Sequence, residues 1–132
     1  LDVSMVDAVL ALSERIIYQH SYEGKVPKPE GQRHPFLTPF GIVRCKDGHI
    51  TLACHTDAFW SRLCELMQQS ALANDPRLKT EAARRENANL VYDTITEYTS
   101  KRTKRELLEE LGGHVPFSPV YNIADIAADP HF

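Results

Sequence analysis

Apolar residues at Val6, Val9, Leu10, Leu12, Ile16 and Ile17 recur at helical spacing. Ser4 can accept from a free backbone N–H just ahead of them, and Asp7 suits the positive end of the helix dipole. The spacing predicts one helix over residues 4 to about 22, ended near Gly24. Pro27, Pro29, Pro35 and Pro39 follow; at that density they fix φ and remove donors. An extended connector is expected over residues 25–40, with Phe36, Leu37 and Phe40 able to lie against a surface.

Two short apolar runs, residues 41–45 and 50–54, flank Lys46-Asp47-Gly48-His49. They predict a β-hairpin on a type I′ turn centred on Asp-Gly, pairing Cys45 with Ile50 and Arg44 with Thr51. Thr56-Asp57 caps a helix carrying Phe59, Trp60, Leu63, Leu66 and Met67. Asn74-Asp75-Pro76 is a turn. Thr80-Glu81 opens a long helix to about Lys101, with Ala83, Leu90, Val91, Ile95 and Tyr98 on its buried side. Thr103 with Glu106 makes a capping box, and the helix behind it ends at Gly112-Gly113, the first glycine taking the left-handed position. Pro116 and Pro119 make residues 115–121 an edge strand or extended segment. Residues 123–128 form one or two helical turns.

The fold class is therefore α+β: a short antiparallel hairpin packed by several helices. The 132 residues suffice for one core. A net charge of −3 with interspersed signs lacks the basic face of nucleic-acid binders, so no nucleic-acid partner is expected. No apolar run approaches the ~20 residues a membrane helix needs. The chain lacks an initiator Met, enters directly into an apolar helix and closes on Asp129-Pro130-His131-Phe132. It reads as a segment of a longer protein.

Chemistry is sparse: there is no P-loop, GxGxxG, GxSxG or HExxH. Arg33-His34 could hold a carboxylate or phosphate, or simply tie the connector down. Cys54-His55, before a helix N-terminus, could supply a thiolate, against a packed Cys and a cap-region His. Arg84, Arg85 and Asn87 could contact an anion, against a solvated helix face beside Glu81 and Glu86. Trp60 with Phe59 could stack on an adenine, though a core aromatic is favoured. Cys45, Cys54 and Cys64 with His49 and His55 could form a zinc site, but buried reduced thiols are favoured and no metal is expected.

In order along the chain stand Asp2-Val3-Ser4-Met5-Val6-Asp7-Ala8-Val9, Gln32-Arg33-His34-Pro35, Thr38-Pro39-Phe40-Gly41, Lys46-Asp47-Gly48-His49-Ile50, Trp60-Ser61-Arg62-Leu63-Cys64, Asn74-Asp75-Pro76-Arg77, Arg84 with Asn87, and Val115-Pro116-Phe117-Ser118-Pro119. Together they resemble the family III (CaiB/BaiF) CoA-transferases. That group includes formyl-CoA transferase, carnitine CoA-transferase or L-carnitine dehydratase-like proteins, and α-methylacyl-CoA racemase. The resemblance covers essentially the whole chain.

The resemblance implies a parent about three times this length, with a large nucleotide-fold domain, a small α+β domain and two interlocked subunits. Residues 1–24 would be a helix from the large domain, 25–40 the connector and 41–132 the small domain. It implies cytoplasmic CoA transfer between carboxylic acids, with an acyl-CoA thioester as substrate, through an aspartyl-CoA thioester. The aspartate that carries it lies upstream, so this chain holds no catalytic residue and neither Asp2 nor Asp7 takes that part. Met5 matches a CoA-lining position; Arg33, His34 and Pro119 are candidates for the substrate cleft. Two alternatives stand beside this: an acyl-CoA racemase or epimerase of the same family, and a non-catalytic binding or assembly domain.

Overall fold

The structure is a computed structural model and describes residues 2–29 and 31–131, apart from the Glu14 side chain. Leu1 and Phe132, at the two ends of the sequence pattern, and Glu30 in the expected connector lie outside the described residues. The chain divides into two units, residues 1–31 and 32–132.

The first unit holds α1 (Met5–Leu12) and α2 (Glu14–Glu23). Ser4 caps α1 by accepting from the Asp7 N–H, and Gly24 ends α2 at φ 67°. The expected single helix is thus two. Ser13 sits between them at φ −94°, ψ 20°, with its hydroxyl donating to the Val9 carbonyl at 2.9 Å. A serine that bonds back to the preceding turn competes with the helical ladder. Val6, Val9, Leu10 and Leu12 are all exposed.

The second unit is α+β, as expected. Its sheet has the order β1-β2-β3, antiparallel throughout, from β1 (Gly41–Cys45), β2 (Gly48–Leu52) and β3 (Phe117–Pro119). Val43, Cys45, Ile50 and Leu52 share the buried face. Against it pack α3 (Asp57–Leu66), α5 (Ala88–Thr99) and α6 (Lys104–Leu111), contributing Trp60, Leu63, Val91, Ile95, Leu107 and Leu111 to one core. A 3-10 turn (Ser70–Asn74), α4 (Glu81–Glu86) and α7 (Ile123–Ala128) complete the described elements.

The hairpin register differs from the expected one. Cys45 pairs with Gly48 and Arg44 with His49, leaving a two-residue loop, Lys46-Asp47. A shift of two residues keeps every side chain on its face, so apolar alternation satisfies either register. The loop's own bonds decide. Lys46 N–H donates to the Arg102 carbonyl at 2.8 Å, and Asp47 Oδ1 accepts from the Lys104 N–H at 2.8 Å. Neither loop residue has positive φ, so the turn is not type I′.

The expected long helix from Thr80 breaks at Asn87, whose amide Nδ2 donates to the Ala83 and Arg77 carbonyls. The Thr103–Glu106 capping box forms. Gly113 rather than Gly112 takes positive φ (74°); at Gly112 (φ −58°) a Cβ would meet the Leu108 carbonyl oxygen at 2.4 Å. Phe59 is 39% exposed, because the buried stripe of α3 runs through Trp60, Leu63 and Cys64 and leaves it on the flank.

Candidate functional site

Residues 32–40 are not an extended connector. They turn back on the sheet and close on the first residue of β1. Arg33 forms an isolated antiparallel bridge with Gly41, and the Ile42 N–H donates to the Gln32 carbonyl at 2.9 Å. The His34 N–H donates to the Phe40 carbonyl at 2.8 Å. A Cβ on Gly41 would lie 2.3 Å from the Gln32 carbonyl oxygen, so this close approach requires glycine. Prolines at 35 and 39, with a cis Thr38–Pro39 peptide, shape the loop where no ladder could continue.

Side chains then fix the loop from two sides. Tyr92 on α5 donates its hydroxyl proton to the Phe40 carbonyl at 3.0 Å and accepts from the Phe40 N–H at 3.1 Å. Burial pushes the Tyr92 hydroxyl above its ordinary pKa, with the Phe40 backbone and the Arg33 charge pulling the other way, so it stays protonated and able to donate. The Arg33 guanidinium lies 4.1 Å above the Tyr92 ring and donates from Nη1 to Asn89 Oδ1 at 2.9 Å. From below, Arg84 is fully buried. Its Nε donates to the Thr38 carbonyl at 3.3 Å, its Nη1 to the Leu78 carbonyl at 2.9 Å, and its Nη2 to the His55 carbonyl and to Asp57 Oδ1 at 2.8 Å.

Rings line up along this loop. His34 stacks on Phe40 at 5.1 Å between centroids, and Phe40 stacks on His55 at 5.9 Å. His34 Nδ1 accepts from the Phe36 and Leu37 N–H groups, each at 3.2 Å, an arrangement only an unprotonated Nδ1 allows. Phe40 also borders an apolar pocket of about 400 Å³ over β1, β2 and β3, lined by Ile42, Thr51, Ala53, Phe117 and Ser118 among others. The polar groups of the loop thus stand beside an apolar pocket.

The expected cleft residues are distributed as follows. Arg33 and His34 stand on one loop but do not converge on one anion: Arg33 engages Asn89 and Tyr92, and His34 engages its own loop. Pro119 pairs with Ile50 at the end of β3. Met5 is 85% exposed on α1.

The other sequence candidates resolve into structural parts. The three cysteines are free and buried. Burial pushes the Cys54 and Cys64 thiols up to about 12 and raises Cys45, so none is a ready nucleophile. Among the described residues no group of three or more His, Cys, Asp or Glu comes together as a metal site, and no helix is long and apolar enough to cross a membrane. Trp60 is 1% exposed and unavailable to an adenine. Arg84, Arg85 and Asn87 do not form an anion site: Arg85 is exposed, Asn87 caps, and Arg84 is buried rather than on a solvated face. Tyr92 and Arg84 escaped the sequence reading as loop anchors. For Arg84 a signal existed: it lies seven residues before Val91, in phase with the buried stripe of α5.

The family model for CoA-transferase family III matches residues 1–132. Succinyl-CoA:mesaconate CoA-transferase of Haloarcula hispanica is 38% identical over 132 residues, 99% of this chain and 33% of that protein. Succinyl-CoA–D-citramalate CoA-transferase of Chloroflexus aurantiacus is 31% identical over 136 residues, 100% of this chain and 33% of that protein. The crystal structure of a CAIB/BAIF family protein from Brucella suis superposes with a TM-score of 0.79 at 30% identity, over 92% of this chain and 32% of that one. The chain spans about a third of the length of these relatives.

Proposed function

The chain belongs to CoA-transferase family III, and from that premise we propose that the protein containing it transfers CoA between carboxylic acids, with this chain supplying its small domain and the helices leading into it. The observation that carries the reading is the match over all 132 residues, together with relatives named as CoA-transferases. The donor class we assign is a short dicarboxylic acyl-CoA, since both relatives described above are named for succinyl-CoA.

The chemistry of the reading is a carboxylate nucleophile that divides one acyl transfer into covalent steps. An aspartate outside these 132 residues attacks the thioester carbonyl, and the C–S bond breaks to release CoA thiolate and leave a mixed anhydride. The thiolate attacks the aspartyl carbonyl, expelling the donor acid and forming the aspartyl-CoA thioester. The acceptor carboxylate reverses the sequence. The chain's own thiols take no part, consistent with their burial. Water must be kept from the anhydride, and the 32–40 loop with β3 would serve as a wall of that cleft. Arg33 and His34 would lie toward the acyl group, with Pro119 on the same wall; Met5 would contact CoA. The protein would work in the cytoplasm as a homodimer, without a metal.

The test is acyl exchange by the full-length protein across a panel of CoA thioesters and free acids, with hydroxylamine to trap an enzyme-bound thioester. Exchange from succinyl-CoA with trapping is expected. No exchange and no trapping, but wash-out of the α-proton into deuterated water, would replace the reading with a racemase.

A further inference from the structure

We infer that Arg84 is a positioning residue for the 32–40 loop, setting through main-chain contacts where Arg33 and His34 stand. The inference rests on the proposed role of that loop as a cleft wall. Arg84 is 0% exposed, yet its main partner charge, Asp57, is 61% exposed, so no enclosed ion pair explains its burial. Three of its four acceptors are carbonyls from separate segments: Thr38 in the loop, Leu78 before α4, and His55 between β2 and α3. A guanidinium presents several donors in a rigid plane, so it fixes these segments relative to one another in a way a single ammonium cannot.

The geometry ties this plane to the ring stack. Thr38 lies two residues before Phe40, and His55 carries the ring against which Phe40 stacks. One buried side chain therefore holds the main chain at Thr38 in the loop and at His55, whose ring lies against Phe40. The opposite edge of the loop is held independently by Tyr92. If Arg84 let go, the loop would remain attached at Phe40 but its Phe36 to Thr38 arch would lose its only buried side-chain anchor among the described hydrogen bonds.

The experiment compares Arg84→Lys and Arg84→Met with wild type in the full-length protein, reading amide hydrogen exchange and steady-state kinetics. Leu107→Ala, buried on α6 away from the loop, controls for a general loss of stability. In Arg84→Lys we expect exchange at the Phe36 and Leu37 amides to accelerate at least about tenfold while α6 amides keep their protection. We expect kcat for CoA transfer to fall about tenfold to a hundredfold with KM for the CoA thioester nearly unchanged, the signature of a displaced group rather than a lost binding contact. Arg84→Met should be worse in both, and Leu107→Ala should leave kcat per folded molecule intact. Unaltered loop exchange in Arg84→Lys, or a kcat loss matched by Leu107→Ala at the same melting temperature, overturns the inference. Absence of CoA transfer by the wild-type protein overturns the functional reading instead, and the exchange measurement then decides the role of Arg84 alone.

Discussion

Removing the Tyr92 hydroxyl isolates one of the two clamps on the loop. Tyr92→Phe keeps the ring, and with it the Arg33 guanidinium 4.1 Å above. It deletes two hydrogen bonds, to the carbonyl and from the N–H of Phe40. The two losses are unequal. The Phe40 carbonyl still accepts from His34 N–H at 2.8 Å, whereas the Phe40 N–H has no second acceptor among the described residues and must turn to water. Phe40 is 36% exposed, so water can reach it in part. At a net 0.5–1.5 kcal/mol per bond, with partial replacement, the expected loss is about 1–2 kcal/mol. For a folded unit near 100 residues that is a fall in Tm of roughly 5–10 °C. Urea unfolding of the 132-residue chain measures it, with an unchanged m-value as the sign that only stability moved. Arg33→Ala in both backgrounds completes a cycle; because Arg33 contacts the ring and not the hydroxyl, the two losses should add within about 0.5 kcal/mol. A Tyr92→Phe loss below about 0.3 kcal/mol would show that the hydroxyl does not hold the loop.

Gly41→Ala should cost about 1–3 kcal/mol, read as a lowered Tm, because its Cβ meets the Gln32 carbonyl oxygen at 2.3 Å, main chain that cannot swing aside. Cys54 and Cys64 should resist iodoacetamide at pH 8 until urea unfolds the chain; native-state labelling would contradict their burial. Both thiols are raised from 9.0 to about 12 in the folded state, so their contribution is complete below pH 9 and drains away as pH climbs toward about 12. The urea midpoint should fall over that window, and less so in a Cys54→Ala, Cys64→Ala double variant compared with its own midpoint at pH 8. The purified 132-residue chain should transfer no CoA, and turnover by it, free of full-length protein, would refute an upstream nucleophile.

The elements were legible where local chemistry and periodicity agreed. Thr56, Thr80 and Thr103 each cap the helix expected behind them, and the two apolar runs around Asp47-Gly48 do form an antiparallel hairpin. What escaped was decided by side chains bonding to distant main chain. Ser13 and Asn87 broke two helices whose apolar spacing ran on unbroken. Asp47 chose between hairpin registers that burial cannot tell apart. The 32–40 loop read as extended because its prolines forbid regular structure, but their pattern carries no trace of Tyr92, 52 residues from Phe40, or of Arg84, 46 residues from Thr38. Arg33 and His34 were visible as polar neighbours, but their separate commitments were not.

The Arg84 contacts carry a consequence for how such a loop can diverge. An anchor that grips carbonyls is blind to the side chains beyond them: replacing Arg33, His34, Phe36 or Leu37 alters what the loop presents without removing any acceptor that Arg84 uses. The framework and the displayed residues are thereby separable heritable traits. Loop sequences exchanged between relatives would inherit the same mounting point provided they keep the path of the chain at residue 38.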